Sequence, residues 1–277
     1  MKFKNLEDKC RYYQSVTNYK LVPNSYVICH LDGKNFSRLI KNNFKKPFDK
    51  DFIIMMNNTA KFLCENVQGC KLAYVQSDEI SLLITDFDTP DTDMLFGGRL
   101  CKIQSILAAL ATSEFNRQFI LYNIYHSDKR NIGAGDCVDI IENMKMAQFD
   151  CKCWTVPNLN DAFAWFLYRS LDCTKNSMQQ TAQTYLSHKE LLKLDAKSQI
   201  DLLKEKKGVD WENDFSNGEK YGRVVYKQNC IFEKVIKGET IKFERKKFNV
   251  FEMPFCLSDE NGKEYFKQIL ENNNEEK

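Results

Sequence analysis

Two short stretches carry side chains that could act together on phosphate groups. Asp32-Gly33 closes an apolar run from Tyr26 to Leu31, and Gln76-Ser77-Asp78-Glu79 separates two more, Leu72 to Val75 and Ile80 to Thr85. An apolar run ended by Asp-Gly reads as a buried strand and a sharp turn. Two apolar runs split by four polar residues read as a hairpin with a polar tip. Either motif alone is usually just a turn or a solvated hairpin tip. On one sheet, in this order, the two turns converge and bring Asp32 and Asp78 together. Paired carboxylates repel unless a cation joins them. Magnesium suits such a pair, because it takes one or two carboxylates and completes its shell with waters and substrate phosphates. The chemistry implied is a two-metal nucleotidyl-transfer site. Asp32 and Asp78 would bridge both ions, the Gly33 carbonyl would complete one shell, and Glu79 joins them as a catalytic candidate.

Phosphoryl transfer is mostly positioning and charge neutralisation, so donors and cations should follow. The amides of Lys34, Asn35, Phe36 and Ser37 begin a turn whose N–H groups could face phosphate oxygens. Lys46 follows that turn, and Arg99 and Lys102 share a helix face at i, i+3. Ser77 reads as a phosphate contact or as a cap on its own hairpin. Arg169 and Asp172, also at i, i+3, read equally as a surface ion pair or part of a site. His30, His126 and His188 lack ligand spacing, and Cys173 has no histidine near it in sequence to activate it as a nucleophile.

The elements that must position these residues are legible in outline. Apolar residues from Asp49 to Asn66 recur at helical spacing, with Asp49 as N-cap. A second helix is expected over Met94 to Phe115 and a strand over Phe149 to Val156, closed by Pro157. Strand, helix, strand, strand, helix, strand is the split βαβ, ferredoxin-like order. The fold class is α+β: a palm-like antiparallel sheet with two helices on one face, plus a helical and β-rich C-terminal part. Residues 1–157 are expected to form the catalytic palm with an insertion at about 116–148. Residues 158–227 read as the helical remainder of that fold, with helices at Asn160 to Asp172, Thr174 to Leu186 and Ala196 to Lys206. Residues 228–277 read as an extension with a disordered tail from Glu271.

The 277 residues, 43% of them hydrophobic, suffice for a sizeable core. A net charge of +2 requires any nucleic-acid surface to be local. The eleven cysteines are scattered without zinc spacing and read as reduced, small hydrophobes. No run approaches the roughly 20 apolar residues of a membrane span. The N-terminus is a poor match to a signal or transit peptide. A cytoplasmic protein without membrane contact is expected, with a mitochondrial location left open.

His30-Leu31-Asp32-Gly33-Lys34-Asn35-Phe36, Lys46-Pro47-Phe48-Asp49 and Tyr74-Val75-Gln76-Ser77-Asp78-Glu79-Ile80-Ser81 resemble the tRNA-His guanylyltransferases. The likeness continues through Phe149-Asp150, Arg169 with Asp172, and Ser187-His188-Lys189-Glu190, and covers roughly Leu6 to Lys227. It implies a polymerase-like palm that extends RNA in the 3′-to-5′ direction. The tRNA 5′ end is first activated with ATP or already carries a triphosphate. The 3′-hydroxyl of a nucleotide then attacks it. It further implies metal at Asp32, Gly33 and Asp78, and nucleotide contacts at Asp32 to Ser37, Lys46, Ser77, Asp78, Arg99 and Lys102. Mg2+, with ATP, GTP and other NTPs as substrates, would be required. The tRNA partner would meet Lys152, Arg169, Lys175 and Lys189, and the assembly would be a homotetramer, a dimer of dimers.

Departures within that resemblance point to one branch. Thr174 to Gln180 stand where eukaryotic members carry His-Ile-Asn-Asn-Leu-Tyr-Asn. His30 stands for a usual Arg, Ser37 for a usual His, and Cys151-Lys152 for Gly-Arg. This is similar to the guanylyltransferase-like proteins, which repair 5′-truncated tRNAs by template-directed addition. The rival readings are a guanylyltransferase adding one 5′ guanosine, a palm-type nucleotide cyclase, and a non-catalytic tRNA-binding protein.

Overall fold

In the computed structural model, which describes residues 2–128, 142, 144–236 and 239–274, six strands form one sheet. They are β1 (Tyr26–Gly33), β2 (Cys70–Gln76), β3 (Glu79–Ile84), β4 (Phe149–Val156), β5 (Arg223–Ile236) and β6 (Glu239–Glu252). The order is β4-β1-β3-β2-β5-β6, with every neighbouring pair antiparallel. The helices in chain order are α1 (Leu6–Ser15), α2 (Phe36–Asn43), α3 (Lys50–Asn66), α4 (Leu100–Asp128) and α5 (Leu159–Tyr185). They continue with α6 (His188–Leu191), α7 (Ala196–Lys207), α8 (Trp211–Asp214), α9 (Asn217–Tyr221) and α10 (Asp259–Asn274). None of the described helices is long and apolar enough to cross a membrane.

Alternation along each strand sends side chains to two faces. Cys29, Leu31, Leu82, Ile84, Ala73 and Val75 point to one, where α3 and α4 cover them. This is the expected two-helix face. Ile28, Leu83, Leu72, Tyr74 and Val224 point to the other, where Ala162, Phe163 and Phe166 of α5 and Phe266 and Ile269 of α10 bury them. A smaller cluster around Leu186, Leu203 and Trp211 supports the far end of α5.

Local chemistry fixes the starts of the helices that matter. The Asp49 carboxylate accepts from the amides of Asp51 (2.9 Å) and Phe52 (3.1 Å), the expected cap of α3. Asn158 caps α5, accepting from Asp161 at 3.0 Å.

Several boundaries differ from the sequence reading. Leu95–Gly98 is a separate turn, and α4 begins at Leu100 and continues to Asp128, so the expected insertion opens inside a helix. The rest of that segment, 129–141 and 143, lies outside the described residues. The two helices expected between Asn160 and Leu186 are one, since no glycine or proline interrupts them. Residue 228, expected to begin an extension, lies inside β5, which pairs with β2 through Arg223 to Tyr226. The expected tail begins within α10, which runs to Asn274; residues 275–277 lie outside the described residues.

Phe36, expected among the nucleotide contacts, is 1% exposed and meets the rings of Phe52, Phe115 and Phe149. Its ring also lies against the Cα of Gly33, where any Cβ would overlap it. The turn after β1 is therefore pinned from beneath by an aromatic cluster. Phe36→Ala should cost about 3–5 kcal/mol, the range for emptying a buried aromatic site. Urea unfolding followed by circular dichroism measures this, and a loss near zero would show that the ring does not anchor the turn.

Candidate active site

The sheet register builds the site. Asp32 on β1 is directly opposite Glu79 on β3 and Asp150 on β4. Strand alternation puts these three carboxylates in one row, on the face covered by α5. The Gly33 amide donates to the Asp78 carbonyl at 3.1 Å, tying the β1 turn to the β2–β3 hairpin tip. The converging turns expected from sequence are thus joined by a backbone bond. Ser77 has positive φ (46°), and its hydroxyl donates to Asp78 Oδ1 at 2.9 Å.

Burial, and after it charge crowding, perturbs Asp32, Asp78 and Glu79. Burial raises the pKa of Asp32, and the neighbouring Asp150 charge raises it further. Burial also raises that of Asp78, against the Ser77 hydrogen bond. Glu79 is pushed up to about 7, first by burial and then by the Asp32 and Asp78 charges, with Arg169 opposing them. Arg169 is 7% exposed and pairs with Glu79 and, at 3.2 Å, with Asp172. Of the two readings of the Arg169–Asp172 spacing, the structure gives a pair whose arginine is buried and also reaches Glu79.

The next row inward holds Lys152, His30, Ser81 and Tyr74 in register across four strands. Burial lowers the His30 pKa to about 4, helped by the Arg169 and Lys152 charges and opposed by Asp150.

A cavity of about 150 Å³ opens beside the carboxylates, lined by Lys45, Asp49, Gln76, Ser77, Asp78 and Asn176 among others. Arg223, donating to Asn57 and to the Gly218 carbonyl, also lines it. Gln76 is buried, and its Oε1 has no hydrogen-bond partner.

The remaining expected residues are placed as follows. Asn35 adopts the left-handed conformation (φ 59°) before α2, and the Lys34 amide is engaged by the Gln148 carbonyl at 2.8 Å. Ser37 is exposed on α2, and Lys46 is exposed while its neighbour Lys45 lines the cavity. Lys102 lies in the first turn of α4, but Arg99 precedes that helix in extended conformation, so the two do not share the expected helix face; Arg99 donates to the Phe96 carbonyl and Lys102 sits 4.9 Å over the Phe96 ring. Thr112, farther along α4, accepts from the Phe149 amide at the level of Gly33. At 1.5 Å per residue, that separates Lys102 from the carboxylate row by about 15 Å along the helix. Within one chain these two cations do not meet Asp32. Lys175 is exposed on α5, and Lys189 is exposed on α6, beside the satellite cluster.

Sequence reasoning missed Asp150 and Gln76 as members of the site. Their signal was strand parity, which needs a register that only pairing supplies.

Among the described residues, no group of three His, Cys, Asp or Glu side chains is disposed to hold a metal ion. The arrangement instead fits a cation that shares its shell with substrate. Two half-buried or buried carboxylates with raised pKa gain from a cation, and one or two carboxylates are what magnesium uses beside phosphates.

Comparison with known proteins agrees with this geometry. The Thg1 family, tRNAHis guanylyltransferase, matches residues 7–157, more than half of the chain. A bacterial tRNA(His) guanylyltransferase (Thg1)-like protein in complex with ATP superposes with a TM-score of 0.77 at 29% identity, covering 97% of this chain and all of that one. A bacterial Thg1-like protein in complex with GTP gives 0.71 at 28% identity, covering 96% and 98%. The tRNA(His) guanylyltransferase of Kluyveromyces lactis is 29% identical over 60% of this chain and 63% of its own length. Protein R259 of Acanthamoeba polyphaga mimivirus is 27% identical over 95% of this chain and 90% of its own. The fold and the family match are those of a nucleotidyltransferase. The chain belongs to the Thg1 family.

The Glu79 shift has a signed consequence. Its folded pKa lies above the unfolded value, so the folded state holds the extra proton and stability falls as pH rises from about 4.5 to about 7. Glu79→Gln removes this loss, so the variant should gain stability relative to the parent as pH rises from 5 to 8. Urea melts in chelator at four pH values test this; parallel curves would show that Glu79 titrates normally.

Proposed function

We propose that the chain adds nucleotides in the 3′-to-5′ direction to the 5′ end of truncated tRNA, directed by the opposite strand. The observation that carries this is the row Asp150–Asp32–Glu79 with Asp78, set beside a cavity whose buried Gln76 Oε1 awaits a donor. Family membership and the ATP- and GTP-bound relatives support it.

In this reading the cavity takes a nucleoside triphosphate, with Lys45 and Ser77 at its wall beside the carboxylates. Asp32, Asp78 and the Gly33 carbonyl would hold magnesium, which when bound lowers the pKa of an attacking hydroxyl and neutralises phosphate charge. Asp78 is fixed by Ser77 and by the Gly33–Asp78 backbone bond, so the carboxylates are oriented before substrate arrives. Arg169 holds Glu79 against α5. The 3′-hydroxyl of the nucleotide attacks the 5′ phosphorus of a tRNA activated as an adenylate or triphosphate. One P–O bond forms, another breaks, and AMP or pyrophosphate leaves. Template-directed repair, rather than addition of a single guanosine, is supported by Thr174 to Gln180, whose residues differ from the Asn-rich stretch of the eukaryotic guanylyltransferases. The same reading includes a homotetramer and a cytoplasmic location.

The test uses a tRNA lacking its first 5′ nucleotide, carrying a 5′ triphosphate, with each nucleoside triphosphate offered separately. Addition of whichever base pairs with the opposite acceptor strand is expected. Guanosine added only to tRNA-His would mean the guanylyltransferase proper. Release of a cyclic nucleotide would mean a cyclase. Asp32→Asn and Asp78→Asn should each lower the addition rate at least about a hundredfold, on the scale of losing a key electrostatic contact, with circular dichroism unchanged. Near-normal rates in either variant would remove that residue from the site. Chelating divalent cations should stop addition in the parent chain, and magnesium should restore it.

A further inference from the structure

Behind the carboxylate row lies a hydrogen-bonded chain that this function does not use. Trp165 Nε1 of α5 donates to Ser81 Oγ of β3 at 3.1 Å, and Ser81 Oγ lies 3.1 Å from His30 Nδ1 on β1. The His30 ring meets Trp165 edge-on, with centroids 5.2 Å apart. Indole N–H can only donate, so Ser81 must accept from Trp165. Ser81 is 2% exposed, and its hydroxyl hydrogen then needs an acceptor of its own. His30 Nδ1 is the acceptor at hand among the described residues. If Nδ1 carried the hydrogen instead, the buried hydroxyl would be left without an acceptor, which is costly. Nε2 therefore carries the ring hydrogen, and among the described residues it has no hydrogen-bond partner.

The surroundings say what would accept from it. Lys152 lies directly across on β4, and Arg169 approaches from α5. Asp150 and Asp32 stand one row farther out. Lys152 and Arg169, the latter paired with Glu79 and Asp172, put two positive groups around the ring, and these favour an acceptor that is an anionic oxygen.

We propose that His30 presents a fixed Nε2–H to a phosphoryl oxygen of the substrate, and that Trp165 and Ser81 are positioning residues that lock this tautomer. The phosphoryl group belongs to the RNA 5′ end or to the nucleotide triphosphate, so this step rests on the proposed function. The lock itself is a property of the free protein.

Nitrogen-15 spectra of the histidine-labelled full chain test it, with the His30 signals assigned by His30→Gln. In the free protein at neutral pH, His30 Nε2 should show a protonated, pyrrole-type shift and Nδ1 an unprotonated one. Ser81→Ala should mix the two tautomers. Protonation at Nδ1, or no change in Ser81→Ala, overturns the lock. Three probes are then titrated: a non-hydrolysable nucleoside triphosphate, an RNA hairpin with a 5′ triphosphate, and the same hairpin with a 5′ hydroxyl. Movement of the Nε2–H signal with one phosphorylated probe, and not with the hydroxyl hairpin, supports the proposal and names the source of the phosphate. A signal that stays still while both phosphorylated probes bind overturns the phosphate contact. If neither binds, the proposed function fails and takes the phosphate contact with it, while the free-protein spectra still decide the lock. His30→Phe should weaken the responsive probe roughly tenfold or more, the range for a hydrogen bond to a charged group. His30→Gln, which keeps a donor, should restore part of it.

Discussion

Mutual repulsion among carboxylates is the constraint around which this molecule is arranged. Asp32, Glu79 and Asp150 are neighbours across three strands, and Asp78 sits one residue from Glu79. At the roughly 5 Å separation of cross-strand neighbours, two full charges repel by about 3 kcal/mol in a medium of effective dielectric 20. Side chains free to move would splay apart. Backbone pairing and the Gly33–Asp78 bond between the two turns nevertheless keep their Cα atoms adjacent. The pKa values of Asp32, Asp78 and Glu79 rise, first through burial and then through neighbouring carboxylate charge, and Arg169 is the cation the fold places in ion-pair contact with the row. A site held in this state is organised to receive positive charge and phosphate together.

Both faces of the sheet contribute to that rigidity. The aromatic cluster of Phe36, Phe52, Phe115 and Phe149 supports the turn after β1 from the α3–α4 side. On the other side, α5 is anchored by Phe163 and Phe166 at one end and by the cluster around Trp211 at the other. Between these anchors it presents Trp165, Arg169, Asn176 and Gln180, and Gln180 donates to the Pro47 carbonyl at 2.6 Å. One long helix thus spans the site. A break at Cys173, as the two-helix reading would have it, would have divided the residues that stabilise Glu79 from those that line the cavity.

Much of this is legible in the sequence alone. Asp-Gly after an apolar run and a polar tetrad between two others located Asp32 and Asp78, because turn chemistry and strand periodicity are local. The ferredoxin-like order followed from the alternation of periods. Asp150 and Gln76 were not legible, since which strand residues face which helix depends on register, a non-local property. The end of α4 was misjudged because the polar residues Asn116, Arg117 and Gln118 resemble a loop, yet they sit on a helix stabilised by the Glu114–Arg117 pair and the Asn116–Ala147 bonds. The cations were located in sequence but not in space: Lys102 is in the first turn of α4 while Arg99 precedes that helix in extended conformation, and both lie at the wrong end of it to touch Asp32 in the same chain.

Among the described residues, the ribbon formed by β5 and β6 is tied to the sheet only through Arg223 to Tyr226. Beyond Tyr226 its two strands pair, among those residues, only with each other, and β6 is the last strand in the order. A long strand with one unpaired side is an invitation to stray β-pairing and aggregation. This ribbon carries Lys242, Glu244, Arg245, Lys246 and Lys247, with Arg245 and Lys247 lying over the Phe243 and Phe232 rings and Lys242 paired to Glu233. Charge on both faces, laid over the aromatic surface, makes approach by a second such strand unfavourable. The chain can therefore extend its sheet well past its core with an edge that resists stray pairing.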